Sequence, residues 1–188
     1  MPVARLIATA AFAALLTPAF AGTDVHVPAF SAITAHSGAG VILHHGPTQR
    51  VTILKGDLKT SRIEVKGNSL DIEGCHGWGG CWGYKLEIEI MSPNIQALEA
   101  HGGGAIRAEA NFPQQKQLNL QAHGGGAIDV RAIPAENVNA EAHGGGAIRL
   151  KALVSLTANA HGGGAITYTG NPKQVQSSTN GGGAISHD

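Results

Sequence analysis

A seven-residue motif, Ala-His-Gly-Gly-Gly-Ala-Ile, occurs four times in the second half of the chain, at Ala100–Ile106, Ala122–Ile128, Ala142–Ile148 and Ala160–Ile166. A fifth copy, Thr179–Ile185, has Asn180 in place of the histidine. Successive copies are offset by 22, 20, 18 and 19 residues. A degenerate copy, Ala35-His36-Ser37-Gly38-Ala39-Gly40-Val41, stands earlier. Repetition at a short, nearly fixed period constrains the fold more than any single motif. Each repeat must be one structural unit that buries its apolar side against its neighbours.

The residues around each copy alternate with period two, the mark of a half-buried strand. Leu118, Leu120 and Ala122 precede one glycine tract, Val138, Ala140 and Ala142 the next, and Leu156, Ala158 and Ala160 a third. After the tracts come Ile106 and Ala108, Ile128 and Val130, Ile148 and Leu150, and Ile166 and Tyr168. These positions are predicted to point inward. The pattern predicts an all-β, right-handed parallel β-solenoid-like stack of ~20-residue coils about 4.8 Å apart. The glycines are read as the corners: Gly102, Gly103 and Gly104; Gly124, Gly125 and Gly126; Gly144, Gly145 and Gly146; Gly162, Gly163 and Gly164; Gly181, Gly182 and Gly183. The differences in repeat length fall between the inward runs, in one expected loop per coil, three of which carry Pro113, Pro134 and Pro172.

Stacking predicts columns of equivalent side chains. One outward column is Arg107, Asp129, Arg149 and Thr167, and its neighbour is Glu109, Arg131, Lys151 and Thr169. Opposite charges would then face each other across coils, as Arg107 with Asp129 and Glu109 with Arg131. A third column is His101, His123, His143 and His161, flanked by Glu99, Gln121, Glu141 and Asn159. Imidazole is a good ligand for zinc, copper or nickel, and the flanking carboxylates and amides would orient the rings. The alternative is a purely structural ladder of identical side chains. His44, His45 and His76 are weaker candidates of the same kind.

Three segments follow from these patterns. Residues 1–21 read as a signal peptide: Arg5, an apolar run from Leu6 to Leu16, and a small-x-small site at Ala19-Phe20-Ala21. The mature chain would begin at Gly22, exported to the periplasm, the cell surface or the medium, with no later transmembrane segment. Residues 22–95 are read as an N-terminal β-rich part that caps the stack, and residues 96–188 as the glycine-rich repeat coils of the same domain. The N-terminal runs are Val41–Leu43, Val51–Leu54, Arg62–Val65, Leu70–Ile72 and Tyr84–Ile90, with a turn at Gly67-Asn68 and the cysteine loop as a long hairpin tip. In an oxidising compartment Cys75 and Cys81 are expected to form a disulfide, the alternative being a metal clip with His76.

Lys and Arg number 13, as do Asp and Glu, so no basic patch recommends a nucleic-acid partner. No Ser-His-Asp or phosphate-loop pattern is present, and no catalytic residue is assigned. Glu99 and Glu141, two coils apart in one column, approach the carboxylate separation of an inverting glycosidase. Gln121 lies between them, however, and only 4% of residues are aromatic, too few to stack a sugar. No cofactor is assigned beyond the zinc, copper or nickel that the histidine column could hold. The two functional readings are a non-enzymatic protein presenting its His/Glu/Asn face to an envelope or extracellular partner, and a metal-binding protein of the periplasm.

The order of elements resembles the putative auto-transporter adhesin head GIN domain family. The residues that carry the resemblance are Phe30-Ser31-Ala32-Ile33, the small-residue Gly motif before Val41, the Val51 strand and Leu70-Asp71-Ile72. The glycine motifs ahead of each isoleucine and the closing Tyr168-Thr169-Gly170-Asn171-Pro172 complete it. It covers about Phe30 to Ile185. The resemblance implies a mostly-β, solenoid-like fold in exported bacterial proteins and no catalytic residues. The chain departs from the family in having His-Gly-Gly-Gly for Ser-Gly-Ser-Gly turns, and in its cysteine loop.

Overall fold

The computed structural model describes residues 22–76, 84–109 and 112–188. Residues 1–21, with the expected leader, and Cys81 lie outside these. Among the described residues the fold is all-β, one sheet of parallel and antiparallel strands curled around a shared core. The strands are β1 (Thr23–Val25), β2 (Ala32–His36), β3 (Ala39–His45), β4 (Arg50–Lys55), β5 (Arg62–Lys66), β6 (Ser69–Glu73), β7 (Leu86–Ser92), β8 (Ala97–His101), β9 (Ala105–Ala108), β10 (Gln115–His123), β11 (Ala127–Gly144), β12 (Ala147–Gly162), β13 (Ala165–Thr169), β14 (Gln174–Asn180) and β15 (Ala184–His187).

Two ladders run through this sheet. The first holds β5 and β6, then the strands that enter the glycine turns: β2, β8, β10, the second halves of β11 and β12, and β14. The second holds β1, β4 and β7, then the strands that leave the glycine turns: β3, β9, the first halves of β11 and β12, β13 and β15. Repeats pair in parallel with equivalent residues side by side: Leu98 with Leu120, Ile106 with Ile128, Ile128 with Ile148. Alternation then sends every second side chain inward. Leu98, Leu120, Ile106, Ile128 and Ile148 are each at most 2% exposed. Burying one such side chain contributes about 1.5–3 kcal/mol, so the columns, rather than the surface charges, hold the stack.

The turns explain the glycines in two different ways. The first of each tract takes a left-handed backbone, as at Gly124, where φ is 64°. The third lies against the backbone of the rung before: a Cβ on Gly126 would strike the carbonyl of Ala100, and one on Gly146 that of Ala122. Only glycine lets successive rungs approach so closely at the corner.

Several expectations need correction. The N-terminal part is more than a cap, because β2 and β3, flanking the degenerate copy, form a full rung beside β8 and β9. The strands β6 and β7 add another rung on the far side of β2 and β3, so stacking order differs from chain order. The cysteine loop is therefore not a hairpin tip: β6 pairs with β2 and β5, and β7 with β3 and β4, never with each other. The Gly67-Asn68 turn does join a hairpin, β5 with β6. The expected loop in the repeat after Asp129 is continuous strand. Pro134 lies inside β11, and the lost residues are taken up by register shifts between Asp129 and Pro134 and between Ala135 and Asn137. An irregularity of this kind absorbs a length change without opening the ladder.

Candidate functional site

The histidine column occupies the last outward position before each glycine turn. Strand pairing sets His123 beside His101 and His143, and His143 beside His161. Each turn then closes on the histidine's own carbonyl: the amides of Gly104, Gly126, Gly146 and Gly164 donate to His101, His123, His143 and His161 at 2.9–3.1 Å. With the backbone fixed on both sides, the rings stack. Centroid separations from His101 to His161 are 4.8, 4.9 and 4.9 Å, with planes 4–15° apart.

The column is longer than the repeat motif predicts. His36, from the degenerate copy, stacks on His101 at 4.8 Å and 15°. Glu73 on β6 takes the next register position beyond His36, and Asn180 on β14 the one beyond His161. His36 carried a readable signal, its place in Ala35–Val41. Glu73 carried none, because no glycine tract follows it.

The flanking outward column is equally regular. Asp71, Thr34, Glu99, Gln121, Glu141, Asn159 and Ser178 stand side by side. Its carboxylates approach the rings. Glu99 Oε1 is 3.5 Å from His101 Nε2, Glu141 Oε2 is 3.8 Å from His143 Nε2, and Asp71 Oδ1 is 4.0 Å from His36 Nε2. Thr34 donates to Glu99 at 3.3 Å. His123, which follows Gln121 by two residues on β10, has its pKa held below the ordinary 6.5, first by burial and then by the imidazoles of His101 and His143. Farther from the turns, Gln121, Asn159, Asn119, Asn139, Glu141 and Thr157 line a shallow groove of about 320 Å³. Asn139 donates to Asn119 across rungs at 3.3 Å.

One group offers three metal donors close together: in Glu99, His101 and His123 the donor atoms lie within 4.8 Å of one another. Two ligands about 2.1 Å from one zinc ion stand no more than about 4.2 Å apart. Nitrogen lone pairs lie in the ring plane, and near-parallel rings aim them side by side rather than at a common point. Capture of an ion here requires a ring to turn out of the stack.

The other histidines sit elsewhere. His44 Nε2 is 3.2 Å from Glu89 and 3.8 Å from Glu109 on the opposite ladder. His45 meets the edge of Phe112. His76 approaches Glu73 at 3.0 Å and Arg62 at 2.6 Å, beside the end of the column. The expected cross-rung ion pairs are replaced by pairs along the strand. Arg131 grips Asp129 with two bonds of 2.9 and 2.6 Å, and Arg107 reaches Glu109 at 2.6 Å. The register is the expected one for Asp129, beside Arg107 and Arg149, but the shift that follows sets Lys151 beside Pro134 instead of Arg131, so the second expected charge column is broken there. The two-bond geometry of a guanidinium on a carboxylate selects the partner within the rung.

The chain matches the family described as putative auto-transporter adhesin, head GIN domain, over residues 29–117 and 112–172. Its fold is similar to the crystal structure of a putative adhesin from Bacteroides fragilis NCTC 9343, with a TM-score of 0.55 and 20% identity over 89% of this chain and 96% of that one. It is also similar to a putative lipid binding protein from Parabacteroides distasonis ATCC 8503, with a TM-score of 0.50 and 15% identity over 89% and 96% of the two chains. No curated protein matches it. At these identities the likeness is one of fold.

Proposed function

The chain belongs to the putative auto-transporter adhesin head GIN domain family, and from that premise we propose that it is an exported, non-enzymatic β-solenoid protein whose His/Glu/Asn face binds a partner in the cell envelope or outside it. The observation that carries this reading is the outward double column. Imidazoles repeat every 4.8–4.9 Å beside Glu99, Gln121, Glu141 and Asn159, next to a groove of about 320 Å³ that runs over several rungs. A flat, repetitive row of donors and acceptors suits an extended partner that meets several rungs at once. It does not suit a small substrate, which needs a concave pocket. Export, cleavage before Gly22 and a Cys75–Cys81 disulfide belong to the same proposal, as does the right-handed winding of the coils.

The test is direct binding of the purified protein to immobilised envelope fractions of its source organism: peptidoglycan, outer-membrane vesicles and secreted polysaccharide. A variant with Gln121, Glu141 and Asn159 all changed to Ala is expected to lose at least tenfold in affinity while keeping its fold. Unchanged binding by that variant removes the face from consideration.

A second reading, capture of a zinc, copper or nickel ion, is favoured by the donors of Glu99, His101 and His123. It predicts stoichiometric zinc binding that disappears when His123 and His143 are both changed to Ala. The parallel stacking of the rings weighs against it.

A further inference from the structure

The two ends of the sheet are built differently. At one end the outermost strands are β5 and β1. β5 carries Arg62, Glu64 and Lys66 in five residues, with Lys66 held to Asp71 at 2.9 Å and Glu64 at 3.0 Å, and β1 has only three residues. Short strands and charged edges discourage further pairing. At the other end β14 pairs only with β12, and β15 only with β13. No described strand lies on their far side. All seven residues of β14 are exposed. Neither β14 nor β15 holds a Lys, Arg, Asp, Glu or Pro. The buried column of Leu118, Val138 and Leu156 runs out at Val175, which is 43% exposed. Within β14, seven residues long and uncharged, this edge has none of the devices that blunt the other.

We propose that β14 is a dimerisation strand, pairing antiparallel with β14 of a second copy across a two-fold axis at Ser177. The sequence Gln174-Val175-Gln176-Ser177-Ser178-Thr179-Asn180 is self-complementary in that register. Gln174 faces Asn180 of the partner subunit, Val175 faces Thr179 of the partner subunit, and Gln176 faces Ser178 of the partner subunit. Inward residues meet inward ones and outward meet outward, as the pleat requires. The pairs are amide with amide, one β-branched residue with another, and amide with hydroxyl, all neutral and favourable across antiparallel strands. A second copy is the occupant the observations favour, because its edge brings no charge against an uncharged one. Head-to-tail growth would instead set β14 against the charged β5, so the contact closes as a dimer and does not propagate. The pairing would join the first ladders of the two copies into one sheet, doubling the length of the outward face.

Sedimentation velocity on the purified protein at concentrations up to about 1 mM provides the test, with two double variants. Gln176→Lys with Ser178→Lys places like charges directly opposite one another twice in the proposed register. Gln176→Glu with Ser178→Glu does the same with the other sign. Both positions are exposed and outward, and circular dichroism checks that each variant keeps its β-sheet. The wild type is expected to dimerise, each variant alone to dissociate with a dissociation constant raised at least tenfold, and an equimolar mixture of the two to recover a mixed dimer. A wild type that stays monomeric throughout that range, a dimer indifferent to both variants, or a mixture that stays monomeric overturns the proposal.

Discussion

His123 and His143 lie face to face, with ring centroids 4.9 Å apart and planes 5° apart. Two neutral imidazoles tolerate this, whereas two imidazolium ions repel at the same distance. The pKa of His123 is accordingly lowered from 6.5, with burial the larger cause and the neighbouring rings the next. A group whose folded pKa lies below its unfolded value leaves the unfolded chain binding more protons. Its stabilising contribution is complete above about pH 6.5 and declines as pH falls through that value. Thermal melts between about pH 7.5 and 5 are expected to descend. The His123→Asn variant, which copies the residue of the fifth repeat, is expected to descend less. Melts that stay level in the wild type contradict the assignment.

Asp129 titrates in a separate window. The hydrogen bonds from Arg131 hold its carboxyl below the ordinary 3.8. Its contribution is present above that value and is lost as pH falls through the folded pKa, well clear of the histidine step. In a double-mutant cycle, Asp129→Asn is expected to couple more strongly to Arg131→Gln than to Arg107→Gln or Arg149→Gln. Equal coupling to all three would mean that the ion pair along the strand has no preference in solution.

Within one glycine tract the three positions are expected to differ. Gly126→Ala sets a methyl against the Ala100 carbonyl and its own side chain, and is expected to cost about 2–4 kcal/mol. Gly124→Ala forces a left-handed backbone on alanine at φ 64°, a cost of about 1–2 kcal/mol. At Gly125 a Cβ would come no closer than 3.6 Å to a neighbour, and Gly125→Ala is expected to be nearly neutral. Urea unfolding of the three variants tests the order, and a Gly125→Ala as damaging as Gly126→Ala contradicts the packing account.

Processing and oxidation are checked together by intact-mass measurement of the protein recovered from its host. The expected species begins at Gly22 and gains two hydrogens on reduction, as a Cys75–Cys81 disulfide requires. An unprocessed chain, or a mass unchanged by reductant, removes the exported, oxidised reading.

Much of the architecture was legible in the chain itself because period-two alternation and a motif recurring at a nearly regular offset can both be read along the chain. The pairings of Ile106 with Ile128 and of His123 with His143 followed from copying one unit. The candidate column was legible for the same reason, as far as the motif persisted. His36 was visible only in a degraded copy. Glu73 joined the column through strand pairing alone.

Sequence by itself determined that equivalent residues of successive repeats would share a column, since the same backbone path repeated at the same corner superposes them. Tertiary structure decided what no local pattern encodes. It placed β6 and β7 beyond β2 and β3, turned Arg131 toward Asp129 instead of across the rungs, and aligned the imidazole planes so that they stack. Those outcomes depend on which edge is free when a strand arrives and on competition among neighbours brought close by folding. Neither is written in the order of residues along one repeat.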